Sequence, residues 1–181
     1  MRTPVHVTTF LTLLSLTLFT GCGKSKIDPG TGDGISYRDS SNNPVGAQDD
    51  TDWTSDATWN AKEKDLFKDL AMDLNGAQKI DAVRSISLYP NPNKVGSISS
   101  LILRASTSSV LRRLAIVIVD KKYKVKHRSE PSLYGNGQLL TTLALPAGEY
   151  KSGEYYRLYY VLYEPDNQLL YKGHGDIKLV E

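Results

Sequence analysis

Cysteine is nearly absent from this chain: there is one in 181 residues, accompanied by three histidines, two tryptophans and two methionines. A single thiol excludes an intramolecular disulfide and any cluster of thiolate metal ligands. A surplus of charge of one sign is missing too. Twenty-two Lys and Arg stand against 20 Asp and Glu. Leaving out residues 1–21 subtracts one Arg and no acid, which gives 21 against 20. No strong overall field is left to gather nucleic acid or an anionic membrane surface. The run Lys121, Lys122, Lys124, Lys126 and Arg128 is local, and it reads as a solvated strand edge. The length gives room for one domain plus appendages.

Catalytic motifs are also lacking. The sequence has no Gly-x-Ser-x-Gly elbow, no phosphate loop and no His-Glu-x-x-His helix. Past the first 21 residues only His127 and His174 remain, and Ser106 to Ser109 have no histidine nearby. His174 with Asp176 could contribute to a metal site, but Gly173-His174-Gly175-Asp176 reads more simply as a turn. Glu149 and Glu154 fall in a turn-rich stretch. The expectation is a protein that is not an enzyme, with no catalytic residues, no metal site and no cofactor.

What is present begins at the amino terminus. Arg2 supplies a positive charge, and residues 5–19 follow without any charged side chain. That run has the length of a signal-peptide core and is shorter than the roughly 20 residues of a spanning helix. It ends in Leu18-Phe19-Thr20-Gly21-Cys22. This segment resembles the lipobox of bacterial lipoproteins, and the only cysteine in the chain occupies its obligatory position. The resemblance implies cleavage before Cys22, a diacylglyceryl thioether on its sulfur and an acylated amino terminus. Two or more acyl chains hold a protein stably on a bilayer. Gly23, rather than Asp, follows the cysteine, so the expected location is the bacterial envelope, at the outer membrane.

Residues 22–52 are rich in Gly, Pro, Ser, Asn and Asp and show no apolar period. Such a composition predicts a flexible, disordered tether. Thirty residues of this kind would span roughly 30 Å. Asp28, Asp33, Asp49, Asp50 and Asp52 match no calcium-loop pattern and read as solvated acids. Residues 53–76 are expected to hold one amphipathic helix over 54–74. Ser55 or Asp56 would cap it, Trp59, Leu66, Phe67, Leu70 and Leu74 would form its apolar stripe, and Asn75-Gly76 would stop it.

From residue 83 to 181 the pattern changes to short β-branched and aromatic runs separated by turn signals. Strands are expected near 84–89, 97–105, 111–120, 123–127, 138–145, 155–163, 168–173 and 176–180. Residues 114–119 and 155–163 are apolar at nearly every position, as strands covered on both faces are. Only Arg157 interrupts the second run. The alternation at 123–127 suits an edge. The predicted fold is mainly β, an immunoglobulin-like antiparallel sandwich preceded by one α-helix and the tether.

Within this body come Ser87-Leu88-Tyr89-Pro90-Asn91-Pro92, Ile116-Val117-Ile118-Val119-Asp120, Leu145-Pro146-Ala147-Gly148-Glu149-Tyr150 and Gly153-Glu154-Tyr155-Tyr156. That succession is similar to the carboxy-terminal sorting domains of the type IX secretion system, which are small β-sandwiches. The resemblance covers residues 84–181 and implies a sandwich, with a sorting role as one alternative.

For function, the sequence predicts a lipid-anchored envelope module with a binding or assembly role. Its partners would be the membrane, through Cys22, and an envelope protein or a glycan. Trp53, Trp59, Tyr155, Tyr159 and Tyr163 are the candidate binding aromatics, on the expectation that one face of them is exposed.

Overall fold

A computed structural model describes residues 26–30 and 33–181 of the chain. The elements in order are β1 (Thr54–Ser55), α1 (Ala61–Asp65), β2 (Val83–Tyr89), β3 (Asn93–Lys94), β4 (Ile98–Ala105) and β5 (Ser108–Asp120). They continue with β6 (Val125–Ser129), β7 (Ser132–Gly135), β8 (Gln138–Ala144), β9 (Tyr155–Tyr163) and β10 (Leu169–Val180). Two sheets form a β-sandwich. The larger runs β1-β10-β9-β5-β6, with β7 also on β5 and β3 also on β10; the smaller runs β2-β4-β8. Every pairing is antiparallel except that of β3 with β10.

The alternation of side chains along β5 explains how the layers stack. Leu114, Ile116 and Ile118 point between the sheets, against Leu88, Leu101, Leu103 and Leu143 of the smaller one. Ala115, Val117 and Val119 point outward, where Trp59, Leu66, Phe67 and Leu74 cover them. Strand β9 does the same with tyrosines. Tyr156 and Tyr160 enter the inter-sheet core, while Tyr159 and Tyr163 join the outer cluster. The larger sheet is therefore buried on both faces at β5 and β9, as the absence of alternation there predicts.

The covering layer differs from the expected helix over 54–74. The α-helix is there, but it spans only Ala61–Asp65, capped by the Asn60 side chain, and the Asn60 N–H donates in turn to the Glu63 carboxylate. A 3₁₀ turn follows at Lys68–Leu70, and Ala71 takes a left-handed conformation, φ 48°. Residues 54–55 instead pair with β10 as β1. Asn75 then folds back: its Oδ1 accepts the Trp59 N–H at 2.8 Å, and its Nδ2 donates to the Trp59 carbonyl at 3.1 Å. The apolar residues keep the burial that the helical spacing predicts, but they reach the sheet from turns.

The expected tether needs a larger correction. Residues 33–52 lie packed on the domain, with Ile35, Ser36 and Asp52 buried. Arg38 and Asn91 exchange backbone bonds at 2.8 and 2.9 Å, and Tyr37 closes a local turn on Ala47 at 3.1 Å. The segment is a strap. Of its few apolar side chains Ile35 is fully buried, and hydrogen bonds to Asn91 and to the last strand hold the segment. The expectations for residues 1–25, including the signal peptide and Cys22, lie outside the described residues.

Strand β10 shows a third difference. Gly173-His174-Gly175-Asp176 is no turn: it lies inside a continuous strand registered with residues 157–160 of β9. Both glycines serve close packing, which is a strand glycine's other use. A Cβ on Gly173 would strike the Thr54 carbonyl and the Tyr160 ring, and one on Gly175 would fall within the Trp53 indole.

Candidate functional site

The outward face of β10 carries Lys172, His174, Asp176 and Lys178; the strap meets the last two, and the segment between β1 and α1 meets the first two. Lys172 is fully buried. Its ammonium donates to the carbonyls of Asp56 and Ala57 and lies 5.1 Å from the centre of the Trp59 ring. Burial pushes its pKa down. His174 Nδ1 sits 2.9 Å from both Asp56 carboxylate oxygens, and the Trp59 indole N–H donates to Asp56 at 2.6 Å. Burial opposes the charge on Asp56, but the bonds from His174 and Trp59 outweigh it and hold the carboxyl below its ordinary range.

Asp176 takes Arg157 in a two-point ion pair, Nε to Oδ1 at 2.7 Å and Nη2 to Oδ2 at 2.5 Å. Lys178 reaches Asp33 at 3.1 Å. Asn91, from Tyr89-Pro90-Asn91-Pro92, is fully buried and donates to the Asp176 carbonyl at 2.9 Å. It also accepts the Lys178 N–H at 3.1 Å. Two of the acids expected to be solvated in a tether, Asp33 and Asp52, are thus partners of the final strand.

At one end of the sandwich these elements frame an open groove. Asp120 ends β5, and its Oδ1 accepts the N–H groups of Lys122 and Lys124 at 2.8 and 3.1 Å. This fixes a tight turn in which Tyr123 adopts φ 65°. Opposite lies the 146–154 loop, closed by Glu149 and Tyr150 N–H groups on the Pro146 carbonyl at 3.0 Å. Lys121 pairs with Glu154 across the gap at 2.9 Å. A cavity of about 110 Å³ between Ile27, Tyr156 and Arg157 shares Lys121, Glu154 and Tyr155 with a groove of about 380 Å³ lined by Lys122, Lys124, Lys126 and Lys151. The Ile27 N–H donates to the Lys121 carbonyl at 2.9 Å, so the amino-terminal segment enters the fold here. Chemically this surface can attract and hold anions.

The aromatics proposed as a binding row do not form one. Trp53, Trp59, Tyr159 and Tyr163 are all buried, and only Tyr155 is half-buried. Trp53 stacks parallel to Tyr160 at 6.5 Å, and Trp59 packs on Phe67 at 5.3 Å and edge-on to Tyr159 at 5.5 Å. The exposed platform on which a sugar-stacking reading depends is absent from these residues.

His127 Nε2 lies 3.0 Å from Ser129 Oγ on the edge strand β6. A serine beside a histidine is one part of a nucleophile arrangement. Among the described residues nothing bonds the other ring nitrogen, and burial lowers the His127 pKa. No three His, Cys, Asp or Glu among the described residues gather as metal ligands do. Arg157 and Asn91 were not among the predicted site residues. One signal pointed to the first: a lone charge inside a strand apolar on both faces must find a buried partner.

No protein-family model matches this chain, and none of the curated proteins does. Among solved structures, one similar chain is the CARDB domain of a Pyrococcus furiosus protein in complex with di-metal ions. It is 12% identical with a TM-score of 0.34, and the match covers 52% of this chain and 94% of that one. Another is a β-glucuronidase from glycoside hydrolase family 2, 10% identical with a TM-score of 0.34. That match covers 59% of this chain and 12% of the enzyme.

Proposed function

We propose that this protein is a lipoprotein of the bacterial cell envelope, held on the outer membrane through Cys22, whose β-sandwich serves a non-catalytic binding or assembly role. The observation that carries the reading is the position of the only cysteine, at the end of Leu18-Phe19-Thr20-Gly21-Cys22 and directly after an uncharged apolar run. Among the described residues no helix is long and apolar enough to cross a membrane. His174 is engaged with Asp56, in the segment leading to α1, and Asp176 with Arg157 across β9 and β10. Their bonds serve the fold.

Replacing Cys22 with serine tests the anchor. Labelled fatty acid should no longer enter the protein, and the chain should leave the membrane fraction. Persistent labelling of the Cys22→Ser chain would overturn the reading.

A further inference from the structure

We propose that the lysine-rich end of the sandwich, formed by the Lys121–Lys126 turn and the loop carrying Lys151, docks on anionic phospholipid headgroups. The inference rests on the lipid-anchor reading above. Its first support is a length. The fold begins at Ile27, whose N–H is bonded to the Lys121 carbonyl. Cys22 lies five residues upstream, and an extended chain covers at most about 3.6 Å per residue. This turn therefore cannot stand more than about 18 Å from the anchored residue. The expected long tether would have let any face of the domain meet the membrane, but the strap removes that freedom. Exposed charges act over about 8–10 Å in salt solution, so only the surface nearest the anchor can act on the bilayer by charge.

The second support is the charge at that surface. Lys122, Lys124 and Lys151 are exposed and Lys126 is half-buried. Among the described residues none of the four has a carboxylate within ion-pair distance. Lys26, also exposed, is the first described residue of the entering segment. The acids at this end are partly occupied: Asp120 caps the turn, and Glu154 holds Lys121. Among the described residues Asp120 and Glu149 are left without a cation partner, against five lysines. A cluster of four to eight basic residues next to a membrane anchor is the charge pattern that anionic headgroups attract. Val125 adds an apolar side chain, 43% exposed among the lysines, suited to the headgroup boundary.

The sandwich has a natural control at its far end. Tyr134, 73% exposed, lies on β7. That strand pairs with the beginning of β5, whereas the lysine turn follows its end. Thirteen residues of strand separate the two ends, roughly 40 Å.

The test uses the full lipidated chain, in which Cys22 is consumed by its thioether and an added cysteine is unique. Gly148 lines the groove, and a Cβ there meets no atom within 4 Å. Gly148→Cys and Tyr134→Cys proteins, each labelled with a fluorophore, are reconstituted into vesicles of phosphatidylcholine alone or of equal parts phosphatidylcholine and phosphatidylglycerol. Quenching by a water-soluble agent is then read alongside flotation.

With phosphatidylglycerol present, quenching at position 148 should fall at least about fivefold, the factor expected for even one lysine near an anionic surface. Quenching at 134 should not change. Adding Lys122→Glu, Lys124→Glu and Lys126→Glu should restore quenching at 148 while flotation persists. Equal quenching in both lipids would overturn the inference and leave the anchor standing, as would shielding that survives the three substitutions. Shielding in native membranes but not in vesicles would assign this surface to a protein partner and overturn it too. A chain that fails to float in either lipid would overturn the anchor itself.

Discussion

The Asp52 carboxylate bridges the strap to the final strand: one oxygen accepts the Asp176 N–H at 2.9 Å and the other the Ser36 N–H at 2.8 Å. Burial, reinforced by the nearby Asp176 carboxylate, pushes its pKa up to about 7 despite those two bonds. The folded-state value thus lies above that of an unfolded Asp, about 3.9. Between the two the native state holds the extra proton, and its stabilisation is lost as pH rises through 7. Asp52→Asn removes the titration and sets an N–H₂ against a backbone N–H. The difference in unfolding free energy, wild type minus Asp52→Asn, should fall by on the order of 2–4 kcal/mol between pH 4 and 8. Urea titrations read by tryptophan fluorescence at several pH values check this, and a constant difference would contradict it.

Arg38 offers a proteolytic test of the strap. A flexible tether would expose it to trypsin, whereas here its N–H and carbonyl both bond Asn91. Lys26 is exposed and close to where the fold begins. Brief trypsin treatment of the native protein should therefore cut at Lys26 well before Arg38. Mass spectrometry of the products would show the order, and early cleavage at Arg38 would mean that the strap opens readily.

Much of the sandwich was legible because residues 114–119 of β5 and 155–163 of β9 are apolar at almost every position, a pattern that two-sided burial explains directly. The strap was not legible. Asp33 and Asp52 are as common in disordered linkers as in turn-rich segments, and their partners lie in a strand far along the chain. Gly173 and Gly175 look the same in sequence whether a chain turns or makes room for Trp53. The spacing of Trp59, Leu66 and Phe67 predicted burial correctly and secondary structure only in part, since turns can deliver the same residues to a sheet. The lysine run was visible, but its closeness to Ile27 arises from a non-local bond that composition cannot carry.

Gly175 makes the room for Trp53 testable. The indole stacks on Tyr160 and lies against the glycine backbone, where a methyl group would overlap it. Gly175→Ala should force Trp53 outward, destabilise the protein by about 3 kcal/mol and shift tryptophan emission to the red. An unchanged spectrum with unchanged stability would show that the edge yields without moving the ring.

Asn75 tests whether the covering layer depends on its cross-link or on apolar burial alone. Its amide satisfies both backbone groups of Trp59, and those groups stand at the entrance to α1, between Asp56 and the Asn60 cap. Asn75→Ala removes both bonds and leaves a partly buried N–H and carbonyl without partners, at a cost of about 2 kcal/mol. The apolar contacts of Trp59, Leu66 and Phe67 with Val117 and Tyr159 remain, so the fold should persist. Two effects should then separate: a modest fall in global stability and a larger local loss of protection at the Trp59 amide. Hydrogen exchange measured residue by residue distinguishes them. Faster exchange at Trp59, with β5 and β9 amides slowed as in the wild type after correction for the global change, would show that Asn75 fixes the layer and burial holds it. Uniform acceleration would show that the layer and the sandwich open as one unit.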